Sequence, residues 1–388
     1  MVVQMKNGKS LTFYQMPEKG ERGNIPLAYA GGLGASAVSA AVYQTAGTTV
    51  QYNSQLQNYL NVFHAQRERI SQKVANGLAN NPDYTGARSD AVSLAWKYEQ
   101  ADVEMGGKGS VNWDAKQRQE LKKTGKIKNA EGHHGKNVAD YPVDQGNPDN
   151  IRFYKSREEH LQKGHKGDFR NESDLPYIDK DKMLKKTNGR RVFKNEALGI
   201  GAAAVIGAGI GMTLGFAISL AQSGVTPESL KYALAEGKRA GVSSGFQSVI
   251  GYGIGRTFGQ AAASGLEGIL SNAGMSITEN ISKMCNMGVV GAITITVFSA
   301  YQFAKLRHDG MATKEAAVQV GKQAFFSLSL LAVAIAAQGI WGGAAGLVVS
   351  ISTGIIFITY SIADIVHQRH YSQFIREYMI DKCKPSFI

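Results

Sequence analysis

The sequence predicts a small ββα module inside a mainly α-helical chain that ends in an α-helical membrane domain. Three observations predict it: apolar residues at helical spacing before residue 106, two strand-like runs and a capped helical turn between residues 111 and 171, and long uncharged stretches after residue 195. A chain of 388 residues holds two to three domains, and we place them at 1–106, 107–194 and 195–388. The net charge of +12 favours a polyanionic partner, either nucleic acid or an anionic lipid surface. Residues 107–194 carry 21 basic against 13 acidic side chains, so most of the excess sits there, together with four of the eight histidines. Two distant cysteines, Cys285 and Cys383, exclude a disulfide framework and a four-cysteine zinc site.

Residues 23–66 carry no charge, and 26–47 are rich in alanine, glycine and serine, which predicts a glycine-rich helix or a membrane-touching hairpin. The run begins too far into the chain to read as a cleaved secretory signal. Leu56, Leu60, Phe63, Ile70, Val74 and Leu78 then form one stripe on a helix that stops near Asn80-Asn81-Pro82. Such a stripe packs within its own domain in preference to forming a coiled coil, because too few heptads are present. A second helix is expected over 89–104, and Gly106, Gly107 and Gly109 read as a linker.

Beyond Val111-Asn112-Trp113-Asp114, the segment from Lys116 to Leu121 predicts a short helix stopped at Thr124-Gly125. Glu131-Gly132-His133-His134 and Asn150-Ile151-Arg152-Phe153 follow as strands on either side of a turn-rich stretch with Pro142, Gly146 and Pro148. Ser156 is a good N-cap, with Glu159 three residues on as in a capping box, and the helix carries His160 before Gly164 and His165.

This order of elements resembles the HNH endonuclease superfamily, ββα-metal nucleases, and in detail the His-His toxin-type branch related to colicin DNases. The residues that carry the resemblance are Trp113 with Leu121, Thr124-Gly125-Lys126, Gly132-His133-His134, Pro142, the run Asn147 to Ile151, Phe153, Glu159-His160, His165 and Gly167-Asp168-Phe169-Arg170. The resemblance implies a metal-dependent endonuclease in which His134 is the general base and Asn150 ties the loop to its neighbouring strand and so orients that base. It implies one divalent cation (Mg2+, Zn2+, Mn2+ or Ni2+) with His133, His160 and His165 as its candidate ligands. Imidazole suits both tasks, since it titrates near neutral pH and its neutral form ligates divalent cations. Adjacent strand residues point to opposite faces, so His133 and His134 can divide these roles.

Two departures stand out. The helical histidines of the colicin-type pattern are four residues apart, whereas His160 and His165 are five apart, which rotates the second by about 140° on an ideal helix. Either Gly164 ends the helix and lets His165 fold back, or His160, His133 and water form the shell and His165 contacts phosphate. Gly135 also stands where the family often has an apolar residue. The surrounding cations, with Lys136, Arg152, Lys166 and Arg170 as candidate substrate contacts, suit DNA backbone binding without base readout. A closed zinc site without catalysis, and plain surface imidazoles, are the competing readings.

After the basic run that ends at Lys194, residues 197–221 and 284–304 are uncharged and long enough to cross a bilayer, and 323–363 is long enough for two passes turning near Gly342-Gly343. Four spans result. Basic residues before 197, across 305–322 and at the C-terminus place these segments, and the nuclease, in the cytoplasm of a bacterial inner membrane. Gly207, Gly211 and Gly215, and Gly241, Gly245, Gly251, Gly255 and Gly259, are helix-packing faces that could also join copies of the chain. Arg256 and Glu267 make 241–270 a poor simple span; it is interfacial, re-entrant, or a helical pair that alters the count. A soluble all-helical domain is the plainer alternative. Three functions follow: a membrane-anchored endonuclease for antiviral defence or toxicity, a delivered toxin with membrane-inserting helices and an immunity protein as partner, and a non-enzymatic membrane assembly or pore.

Overall fold

The computed structural model describes residues 2–4, 10–12, 25–167, 175–224, 226–341, 356, 363, 366–367 and 370–379. It is mainly helical. Strands β1 (Val2–Gln4) and β2 (Ser10–Thr12) form a short antiparallel pair. Helices α1 (Ile25–Asn80), α2 (Arg88–Glu104) and α3 (Ala115–Thr124) precede the antiparallel strands β3 (Glu131–His134) and β4 (Ile151–Tyr154), which the helical turn α4 (Arg157–Glu159) follows. Then come α5 (Lys180–Ser223), α6 (Pro227–Ile254), α7 (Gln260–Asn272), α8 (Glu279–His308) and α9 (Thr313–Trp341). The chain divides into two compact units: Gly47–Glu196, and Met1–Ala46 with Ala197–Ile388.

In the unit of residues 47–196, α2 is buried on two sides. Ala91, Ala95 and Trp96 meet Trp113, Leu121, Ile151 and Phe153, with Trp96 and Phe153 ring centroids 4.0 Å apart. Leu94 and Tyr98 meet Leu60 and Phe63 of α1 and Leu184 of α5, so the expected α1 stripe packs within its own unit. The glycines read as a linker form a tight turn instead. Gly106 and Gly109 have φ of 96° and 74°, values that favour glycine, and the turn is fastened to α2. Gly109 N–H donates to Asp102 Oδ2, while Ser110 N–H and Trp113 Nε1 both donate to Glu99 Oε2. Asp114 caps α3 in a reciprocal pair with Gln117, and Gly125 ends it at φ 75°.

In the other unit, the glycine stripes of α5 and α6 meet each other. A Cβ on Gly207 would lie 2.0 Å from Ser248 Oγ, on Gly211 2.4 Å from Ser244 Oγ, and on Gly215 2.6 Å from Ala240 Cβ. Gly237, Gly241 and Gly245 press in return on Met212, Ala208 and Ala204. These pairings run in opposite chain directions, so α5 and α6 are antiparallel. Joining of copies through these stripes finds no support here, since within the chain they already cover one another. The helix continues past Ile254 through a π-helical turn at Gly255–Gly259 into α7, and Gly251, Gly255 and Gly259 receive Thr294 and Val290 of α8. Among the described residues, three helices are long and apolar enough to cross a membrane: Lys180–Ala221, Met284–His308 and Thr313–Ala337. The fourth expected span and the turn at 342–343 lie outside the described residues, apart from Ile356 and Ala363.

Candidate metal centre and general base

The register of β3 and β4 pairs Glu131 with Tyr154, Gly132 with Phe153, His133 with Arg152 and His134 with Ile151. Alternation therefore puts Glu131, His133, Arg152 and Tyr154 on one face, and His134 with the core residues Ile151 and Phe153 on the other. Ser156 then caps the following turn by accepting the Glu159 N–H, while Glu159 reaches back to the Lys155 N–H and not to that of the cap.

The helix does not end at Gly164. It widens into a π-helix over His160–His165, whose i→i+5 repeat brings residues five apart over one another. His165 consequently sits beside His160, ring centroids 4.7 Å apart, without a chain reversal, and its ring lies in one cluster with those of His133 and His160. The extra residue achieves this, and not a helix that ends at Gly164. Gly164 makes room for the wide turn, because a Cβ there would lie 2.9 Å from His160 Cδ2 and 3.0 Å from Tyr154 Cε2.

His133, His160 and His165 each offer a ring nitrogen, all within 4.8 Å of one another. His133 Nδ1 is 3.1 Å from His160 Nε2. Glu131 Oε2 lies 2.6 Å from His160 Nδ1 and accepts its N–H, which directs the His160 Nε2 lone pair into the cluster. Burial, followed by the neighbouring His160 and His165, pushes His133 down to about 4, so its ring is neutral at physiological pH. Three converging imidazoles, one oriented by a carboxylate, form a donor set that fits a divalent cation.

His134 is buried on the opposite face, and its Nε2–H donates to the Gln145 carbonyl oxygen at 3.0 Å. A carbonyl only accepts, so this bond fixes the tautomer and leaves Nδ1 as the basic nitrogen. Burial holds the His134 imidazole below its usual pKa, and the bond to Gln145 opposes that shift. Gln145 is itself fully buried: its amide donates to the Tyr84 and Pro142 carbonyls and accepts the Ala87 N–H. Asn150 spans the same loop, with Oδ1 accepting the Lys136 N–H at 2.8 Å and Nδ2 donating to the Lys136 carbonyl at 3.0 Å. Glu131 was legible as a residue two positions before His133 on the same strand face. Gln145 was not, because it acts through its backbone.

Of the four candidate substrate contacts, Arg152 lies across from His133, Lys136 follows two residues after His134, and Lys166 closes the π-helical turn at φ 48°. Arg170 lies outside the described residues. The space that a larger residue at Gly135 would fill is taken by Arg152, whose Nε is 3.2 Å from where a Cβ would stand.

A two-stranded ribbon followed by a helical turn, with a histidine cluster on one face and an oriented histidine on the other, defines a ββα-metal nuclease module. Residues 84–155 match the Tox-GHH family model, a GHH signature containing HNH/Endo VII superfamily nuclease toxin, and Gly132-His133-His134 is that signature in this chain. The matched stretch takes in α2, β3 and β4 and stops before His160. No curated protein and no solved structure gives a significant match.

Proposed function

We propose that this chain is a metal-dependent nuclease toxin that hydrolyses DNA phosphodiester bonds with little sequence preference and is carried at a membrane by its other helical unit. The observation that carries the reading is the division of labour at the histidine pair: His133 turns towards His160 and His165, while His134 is held by Gln145 with Nδ1 as its basic nitrogen. His133, His160 and His165 would hold the cation, with Glu131 fixing the His160 ring. The bound cation would supply charge neutralisation at the phosphate and at the leaving oxygen. His134 Nδ1 would take the proton from the attacking water, and Asn150 would hold the loop behind it. Lys136, Arg152, Lys166 and Arg170 would meet backbone phosphates, so affinity should fall steeply with salt and vary little with sequence. The family match supports a toxin role over antiviral defence, and with it a neutralising immunity protein as partner. The apolar helices support a membrane location, for which the bacterial inner membrane with a cytoplasmic nuclease is our reading.

Full-length protein in detergent tests this by plasmid nicking with Mg2+, Mn2+, Ni2+ or Zn2+ beside a chelator control. We expect metal-dependent nicking that His134→Ala reduces by about 100-fold or more, in line with loss of a general base, with cation binding retained by calorimetry. Full activity in chelator, or unchanged cleavage by His134→Ala, overturns the assignment.

A further inference from the structure

Residues 175–179 lie beyond the stretch that matches the nuclease family, yet they touch both cations on either side of the histidine pair. Arg152 Nη2 donates to the Pro176 carbonyl at 2.6 Å. The Lys136 ammonium lies 4.8 Å from the centroid of the Tyr177 ring and 4.9 Å from that of Tyr141. Tyr177 is fixed in turn by its hydroxyl, which donates to Asp144 Oδ2 at 2.8 Å, on the loop whose Gln145 carbonyl holds His134. The next residue closes the segment onto the same loop, Ile178 N–H donating to the Asp149 carbonyl at 2.9 Å. Both rings are also partly open to solvent, Tyr141 at 39% and Tyr177 at 43%.

We propose that Tyr177 is a positioning residue: with the Pro176 carbonyl it holds Lys136 and Arg152 in place to receive a nucleic-acid phosphate, so that residues 175–179 complete the substrate face. This rests on the reading of Lys136 and Arg152 as phosphate contacts. A guanidinium has five N–H donors in a rigid fork, and the bond to Pro176 takes one of them while fixing the plane of the others. A ring face attracts an ammonium through the ring quadrupole, which restrains where the charge sits. Both contacts therefore suit orientation in preference to sequestration.

Tyr177→Leu removes the ring, and Tyr177→Phe keeps it while losing the contacts of its hydroxyl with Asp144 and with Lys136. Full-length wild type and both variants are compared by steady-state cleavage of a DNA duplex, and by fluorescence anisotropy of the same duplex in chelator, where no cleavage is needed. Thermal melts establish that all three fold alike. We expect Tyr177→Leu to raise KM and the dissociation constant about threefold, the effect of one partly exposed cation–π contact, with a smaller change in kcat, and Tyr177→Phe to stay within twofold of wild type, using roughly half that contact energy as the margin. Unchanged binding and KM in Tyr177→Leu, or tighter binding because the segment was covering the cations, overturns the proposal. If wild-type protein fails to cleave under every metal, the nuclease reading fails, whereas the anisotropy comparison still decides the role of Tyr177.

Discussion

Glu131 decides which nitrogen of His160 a cation would meet. Its carboxylate accepts the Nδ1–H at 2.6 Å, and that bond in turn holds the Glu131 carboxyl below the usual glutamate range. Glu131→Gln keeps an acceptor and removes the charge, so cation affinity should fall by about 10-fold, read by calorimetry on the full chain. Unchanged affinity would mean that the His160 ring is held by packing alone. Asp102 carries a pH dependence of its own. It is buried beneath the 106–109 turn, accepts from Gly109 N–H and the Thr187 hydroxyl, and has its carboxyl pushed up chiefly by burial. A raised carboxyl pKa contributes stability that is fully present below the unfolded value of about 3.9 and is lost as pH rises through the folded value. Asp102→Asn copies the protonated form, and its amide can donate to the Thr187 hydroxyl. The melting temperature of the variant should therefore exceed that of wild type by a margin that grows as pH rises above 4, with about 4 taken from the ordinary aspartate value. A margin independent of pH would exclude Asp102 as the titrating group. At this scale the histidines were readable because their chemistry lies in the side chain, while Gln145 was hidden because its carbonyl looks like any other in the sequence.

Two elements depend on glycine because a Cβ would collide with a neighbour, and each makes a testable prediction. Gly211 in α5 faces Ser244 and the Ala240 carbonyl, with 2.4 and 2.5 Å to a Cβ that is not there, whereas nothing lies within 4 Å of one on Gly209. Gly211→Ala should push α6 away and lower stability in detergent by about 1–3 kcal/mol, while Gly209→Ala should leave it equal or raise it by up to about 1 kcal/mol. Equal effects at the two positions would remove the close α5–α6 contact. The four-residue glycine spacing made this face legible, because a helix repeats its faces at that interval. The π-helical turn at His160–His165 was not legible. An inserted residue leaves no mark on composition, and the wider repeat is set by what the turn packs against, namely Tyr154 at Gly164 and the three clustered rings. Deleting Lys163 would return the two histidines to four-residue spacing and an ordinary α-helical repeat. Cation binding should survive that deletion, and its loss would show that the π-helical geometry itself is required.

The pairings among α5 to α8 bear on how the chain would thread through a bilayer. With α6 taken as interfacial, the basic loop before α9 falls on the same side as the start of α5. The pairings within the helical unit give the other result. Gly207, Gly211 and Gly215 set α6 antiparallel to α5 at the level of the apolar stretch. Gly251 facing Thr294, Gly259 facing Val290, and Glu267 accepting from the Ser282 hydroxyl set α8 antiparallel to α6 and α7. Helices α5 and α8 therefore run in the same direction, and the ends marked by Ser223 and Asp309 lie at one end of the bundle. Charge does not overrule this. Lys231, Lys238 and Arg239 near the start of α6 join Lys305 and Arg307 at that end, while Lys185, Lys186, Arg190, Arg191 and Lys194 precede the apolar part of α5 in the sequence, so basic residues flank that stretch on both sides. The local hydropathy that marked α5, α8 and α9 passed over α6, because its small and polar residues, Ser244 and Ser248 among them, are buried against α5. In a background with Cys285 and Cys383 replaced by serine, single cysteines at Ser223, Asp309 and Ala197 can be labelled by a membrane-impermeant maleimide. We expect Ser223→Cys and Asp309→Cys to react from the same side and Ala197→Cys from the other. Labelling of Asp309→Cys together with Ala197→Cys would restore the interfacial reading of α6 and reverse every crossing after it.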